Sequence, residues 1–217
     1  MMNSMARNYL LDNAKLIAIF MVVFGHLIEQ LIRNSSIIKS IYMSIYSVHM
    51  PIFIIISGML AANKLSGEQV KKLATTTLLP LLIFTLIYEV FNLVIFKSIS
   101  SYTLNLQPYW ILWFLYSMFF WKLILPLALK LKFPLLTALT ISLIAGYFEE
   151  IGYFLGISRT LYFFPFFIVG YYLKNSKYSL EYFQKLPKSV YITIIIANLA
   201  FFYFNSDIQH QWLFGSL

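Results

Sequence analysis

Apolar residues fall along this chain in long runs separated by short polar patches, without the period-2 alternation of half-buried strands. Seven runs are long and poor in charge: Tyr9–Ile28, Ile41–Ala62, Leu73–Phe96, Tyr109–Leu129, Phe133–Phe148, Thr160–Leu173 and Ser189–Asn205, the fifth and sixth being short. Crossing ~30 Å of hydrocarbon takes about 20 helical residues, so the runs read as membrane spans. Lipid offers no partners to free backbone groups, and without alternation the spans are expected to be helices rather than barrel strands. The expected fold is all-α: a polytopic transmembrane helix bundle of about seven spans, one domain over residues 1–217. The first run does not read as a secretory signal, because Asp12 and Lys15 interrupt its start and no small-residue cleavage site follows Gly25-His26. No internal repeat or low-complexity tract interrupts the pattern.

Composition supports the same class. With 60% hydrophobic and 11% charged residues, the chain lacks the polar surface that a soluble domain of 217 residues needs. The 21 Phe and 16 Tyr suit helices that face lipid and end in interfacial belts. The formal charge of +8 is not a nucleic-acid footprint, because the basic residues lie almost wholly between apolar runs. Arg7, Lys15, Lys64, Lys71, Lys72, Lys122, Lys130, Lys132, Lys174, Lys177, Lys185 and Lys188 sort to one side, against Arg33, Lys39, Lys97 and Arg159 on the other. This asymmetry predicts a cytoplasmic N-terminus and an external C-terminal end, where Asp207 is the only charge. The basic, Tyr-rich connection from Lys174 to Lys188 reads as a loop held at the anionic leaflet. The absence of cysteine excludes a disulfide framework, a thiolate nucleophile and a cysteine metal site.

Ionisable groups in a bilayer are costly, and each is a functional candidate. Lys15 and His26 are eleven residues apart, three turns plus only ~20°, so they share a helix face at ~16 Å axial separation. Asp12 and Glu29 lie close to the same stripe. In the second run His49 precedes Met50-Pro51, with Ser57-Gly58 two turns further on, and Pro51 should bend the helix. His26 and His49 fall at similar depths in adjacent spans. They suggest a shared polar pocket, the alternative being a hydrogen-bond seam that only fixes packing. His26, Glu29 and His49 could in principle ligate zinc, but no further ligand supports it and no metal is expected. No Gly-x-Ser-x-Gly elbow, P-loop, dinucleotide fingerprint or His-x4-Asp pattern is present.

Four segments carry a resemblance. Leu11-Asp12-Asn13-Ala14-Lys15 followed by Val22-Val23-Phe24-Gly25-His26 resembles the opening of acyltransferase family 3, the integral-membrane sugar O-acetyltransferases that include the fucose 4-O-acetylase-like group. Val48-His49-Met50-Pro51-Ile52-Phe53 with Ser57-Gly58 is similar to that family's second helix, and Trp110-Ile111-Leu112-Trp113-Phe114-Leu115-Tyr116 to its fourth. Ser158-Arg159-Thr160-Leu161, Phe164-Pro165-Phe166-Phe167 and Gly170-Tyr171-Tyr172-Leu173 are similar to its sixth. The segments come in the family's order across nearly the whole chain. Lys15 stands where the family most often has Arg, keeping the charge without the planar fork, and Leu16 stands where the acetylase-like group commonly has Gly. Members typically continue beyond a segment resembling Gln211-Trp212-Leu213-Phe214-Gly215-Ser216, so the chain reads as incomplete at its C-terminus.

The resemblance implies transfer of an acyl group, acetyl from acetyl-CoA, to a sugar hydroxyl of a surface polysaccharide or its lipid-linked precursor, in a bacterial cytoplasmic membrane. In that reading His26 is the general base, Glu29 orients it, and His49 is an oxyanion donor or a structural residue. Lys15 takes part in catalysis or donor binding and with Lys71 and Lys72 meets the phosphates of CoA, while Asp12, Trp113 and Arg159 serve substrate binding. The expected partners are the bilayer, acetyl-CoA and a carbohydrate acceptor, with no nucleic acid and no metal. Two rivals stay open: a proton-coupled small-molecule transporter, and an inactive or accessory fragment of a longer acyltransferase.

Overall fold

The computed structural model describes residues 9–33, 35–147, 156–176 and 185–205. Among these, every regular element is helical: α1 (Tyr9–Ile28), α2 (Ser36–Met59), α3 (Gly67–Phe96), the single turn α4 (Ser101–Leu104), α5 (Trp113–Ala128), α6 (Pro134–Tyr147), α7 (Ile157–Asn175) and α8 (Lys188–Phe204). Two 3-10 turns, Glu29–Leu31 and Trp110–Leu112, follow α1 and precede α5. The end of the fifth apolar run at Phe148, most of the Lys174–Lys188 connection, Asp207 and the segment from Gln211 to Ser216 lie outside the described residues.

Each apolar run holds one helix, but the helix ends follow polar chemistry that the runs do not contain. α2 begins five residues before its run because the Ser35 hydroxyl accepts from the Ile38 amide at 3.5 Å. α3 begins six residues early on a capping box, in which Ser66 accepts from the Gln69 amide at 3.3 Å and Gln69 accepts from the Ser66 amide at 2.9 Å. α2 runs on through Pro51 without a break. Among the described residues three segments, Tyr9–Leu31, Ser36–Met59 and Gly67–Phe96, are long and apolar enough to cross a membrane. The apolar helices α5, α6 and α8 have 16, 14 and 17 residues. At ~1.5 Å per residue they rise less than the ~30 Å of a hydrocarbon core.

α2 and α7 form the central pair: α1 and α8 pack on α2, α5 and α6 pack on α7, and α3 packs on α5. A Cβ on Gly58 would overlap the Phe167 carbonyl, and one on Gly170 would overlap the Ile55 carbonyl, so the two backbones touch where they cross. The largest buried cluster lies around this pair, with Ile54 from α2, Trp121 and Leu125 from α5, and Phe163, Phe167 and Ile168 from α7. Leu11 of α1 packs on Ile56 and Met59 of α2, and Phe202 of α8 packs on Tyr42 and Met43. α3 buries only Leu73 and Thr77 and presents an otherwise exposed apolar surface, as a lipid-facing helix would.

The crossing makes a direct prediction. Gly58→Ala should cost about 1–3 kcal/mol, because the new methyl meets backbone that cannot rotate away. Gly67→Ala, at an open position in the first turn of α3, should be neutral or mildly stabilising. Unfolding by SDS in mixed micelles would measure both, and an unchanged midpoint for Gly58→Ala would rule out a close crossing.

Candidate functional site

His26 stands in the last turn of α1, where the helix tightens into the Glu29–Leu31 3-10 turn. Three residues on, Glu29 falls on the same face, and its Oε2 lies 3.1 Å from His26 Nδ1. A second oxygen, the Tyr46 hydroxyl of α2, lies 3.1 Å from the same nitrogen. Gly25 lets the Tyr46 ring come this close, since a Cβ there would be 3.1 Å from Tyr46 Cε2. A carboxylate can only accept, so the Nδ1 proton points to Glu29 and the lone pair of the neutral ring falls on Nε2.

Tyr46 also meets the second histidine. Its ring lies edge-on to His49 with centroids 4.8 Å apart, and tilts against Tyr42 at 4.2 Å. His49 Nδ1 donates to the Ile45 carbonyl at 2.8 Å. The two imidazoles thus flank one tyrosine in very different surroundings. The His26 and Glu29 side chains are 39% and 44% exposed, whereas His49 is 3% exposed.

The other members of the stripe sit at the opposite end of α1. Lys15 of α1 and Lys122 of α5 are both half-buried. Among the described residues neither lysine forms an ion pair. Asp12 lies one turn before Lys15 and is likewise half-buried. Lys71 and Lys72 are exposed on the first turns of α3, whose main packing partner is α5. Among the described residues no hydrogen bond or ion pair joins them to His26 or His49.

Trp113 and Arg159 are brought together. The Arg159 guanidinium carbon lies 5.6 Å from the centre of the Trp113 ring, and that ring stacks on Phe163 at 5.5 Å. A buried polar seam fixes α5 against α7 beside them: the Ser117 and Thr160 hydroxyls are 2.6 Å apart, and Trp121 Nε1 donates to the Thr160 carbonyl at 2.7 Å. Glycine is needed at position 156, where the chain enters α7 with φ of 64°.

Two residues of evident chemical interest escape the sequence reading. Tyr46 is one of 16 tyrosines, and only its place three residues before His49 distinguishes it. Glu89, a carboxylate inside an apolar run, carries the signal of an intramembrane charge outright, and it accepts three hydrogen bonds from the segment that joins α3 to α5.

The chain matches the acyltransferase domain family over residues 8–216. A relative, the nodulation protein NolL of Mesorhizobium japonicum, is 33% identical over an alignment of 181 residues that covers 76% of this chain and 47% of NolL. The chain thus spans about half the length of that curated relative. No solved structure matches it. The matched residues take in α1 with His26, α2 with His49, and the Trp113–Arg159 pair, and the chain belongs to acyltransferase family 3.

Proposed function

We propose that this chain is a membrane-bound O-acyltransferase that moves an acyl group, acetyl in the simplest case, from a CoA thioester to a sugar hydroxyl. The observation that carries the reading is the His26 ring, held through Nδ1 by Glu29 and Tyr46 at a half-exposed helix end. A sugar hydroxyl is a poor nucleophile at neutral pH. His26 Nε2 takes its proton as the sugar oxygen attacks the thioester carbon, and Glu29 stabilises the imidazolium. Collapse of the tetrahedral intermediate breaks the C–S bond, and the imidazolium returns its proton to the departing thiolate. His49 completes the pocket wall and keeps Tyr46 in place.

The donor's phosphates belong at the inner end. Lys15 and Lys122 are two half-buried cations there, without an ion pair among the described residues, and an anion between them would be drawn to both. Lys71 and Lys72 lie further out, where they attract the donor from the cytoplasm. Arg159, over Trp113, faces the acceptor side.

The topology that fits is seven spans with the N-terminus in the cytoplasm of a bacterial cell. Neighbouring contacts support alternating directions: Gly25 lies against Tyr46 while Leu11 lies against Met59, and Ser158 meets Ala145 while the Tyr162 carbonyl meets Ser142. α5, α6 and α8 then cross locally thinned or protein-lined regions of the membrane. In intact cells, a cysteine introduced at Ser66 should resist an impermeant thiol reagent and one at Ser101 should react. The reverse pattern would overturn the orientation.

Labelled acetyl-CoA added to membranes that hold the protein should transfer label to a polysaccharide or lipid fraction. His26→Ala should lower that transfer ~100-fold or more at normal abundance. A variant retaining more than about a tenth of the rate would reject His26 as the base. Tyr46→Phe keeps the ring contacts and removes one of the two oxygens at Nδ1, so the loss should be smaller, about 3- to 30-fold. Loss equal to that of His26→Ala would make Tyr46 a reacting group, not a support.

A further inference from the structure

The outer end of α3 should be loose, since its only buried residues, Leu73 and Thr77, lie near the inner end. It is held by one carboxylate. Glu89 accepts from the Ser100 amide at 3.1 Å, from the Thr103 hydroxyl at 2.6 Å and from the Tyr109 hydroxyl at 2.5 Å. Asn92 Nδ2 donates to the same Tyr109 oxygen at 3.2 Å. The Tyr109 ring is stacked between Tyr88 at 5.2 Å and Tyr102 at 5.0 Å. No described cation pairs with this carboxylate, so its charge is met by three donors that all come from the outer loop. That loop enters and turns through two left-handed residues that are not glycine, Lys97 at φ 51° and Leu106 at φ 53°. Such a backbone needs compensation, and the Glu89 cluster lies between the two bends.

From Tyr109 the chain leads directly to the Arg159 pair. The Tyr109 carbonyl accepts from the Leu112 amide at 2.7 Å and closes the 3-10 turn from which α5 and Trp113 begin. Pro108 and Trp113 both border Gly156, within 3.5 and 3.7 Å of where a Cβ would stand, at the entry to α7 one turn before Arg159. We propose that Glu89 is a positioning residue: it holds the 97–112 loop against the start of α7 and so fixes Arg159 over Trp113 on the acceptor side. This rests on the acyltransferase reading only for the role of Arg159. The holding of the loop is a statement about the fold, and it can be tested apart from activity.

The chain has no cysteine, so Ser158→Cys, at a half-buried position beside Arg159, supplies a single thiol. In proteoliposomes, Glu89→Ala should speed its labelling by an impermeant maleimide about tenfold, with Glu89→Gln and Tyr109→Phe giving smaller changes in the same direction. With p-nitrophenyl fucoside as acceptor, Glu89→Ala should raise the acceptor KM about tenfold and leave the acetyl-CoA KM unchanged. In an Arg159→Ala background the same substitution should add nothing to the acceptor KM. Unchanged labelling in all three variants overturns the proposal. So does a parallel rise in both KM values, which would mean general loosening. If Arg159→Ala itself leaves the acceptor KM alone, the reading of Arg159 falls. The labelling rate then decides by itself whether Glu89 positions the entry to α7, faster labelling upholding it and unchanged labelling rejecting it.

Discussion

The backbone crossing of α2 and α7 is the contact on which the other helices depend. Between helices in lipid there is no hydrophobic driving force, so association rests on close packing, and close packing requires small residues where backbones meet. Gly58 and Gly170 supply it reciprocally, each lying against a carbonyl of the partner helix, Phe167 for one and Ile55 for the other. A helical glycine costs about 1 kcal/mol relative to alanine. Here alanine is excluded by backbone, and the cost is offset by dispersion along the seam that Ile54, Phe167 and Ile168 continue. α1 and α8 pack on α2, and α5 and α6 pack on α7, so the crossing sets these two groups of helices against each other.

The same crossing sets the height of the chemical groups. Contacts from Trp113 to Phe163 and from Trp121 to Phe167 run α5 and α7 in the same direction, while Gly25 to Tyr46 and Leu11 to Met59 run α1 against α2. Counting ~1.5 Å per residue from the glycines, His49 and Tyr46 on α2 and Arg159 on α7 all lie ~14–18 Å above it, on the same side. Lys15 and Lys122 lie near the level of the crossing itself, since Leu11 meets Met59 and Trp121 meets Phe167. In the proposed reaction this separation suits a donor whose phosphates and thioester are joined by a long flexible arm.

The helices were legible because lipid demands long uninterrupted apolar runs, and that demand is written in consecutive residues. Their ends were not, because Ser35 and Ser66 act from polar sequence outside the runs. The His26–Glu29 pair was legible from i, i+3 spacing alone. Its partner Tyr46 was not: in a chain with 19% aromatic residues, one more ring gives no signal until the Gly25 gap opposite is known. Glu89 was readable in principle, since it interrupts an apolar run as plainly as Lys15 does, but its three donors come from a loop whose path no periodicity predicts.

Environment separates two histidines that sequence alone treats alike. Both lie toward the same end of adjacent helices and both touch Tyr46. His49 donates from Nδ1 to a backbone carbonyl and is buried; charging it would place an imidazolium among apolar side chains with no carboxylate beside it among its described partners. His26 has the Glu29 carboxylate at its Nδ1 and a half-exposed ring. In the proposed reaction the base carries the sugar's proton until the thiolate leaves, and of the two rings only His26 has a carboxylate beside it among the described residues. The tyrosine between them therefore has unequal duties: against His49 it packs, and against His26 its hydroxyl shares the Nδ1 proton that leaves Nε2 with the lone pair.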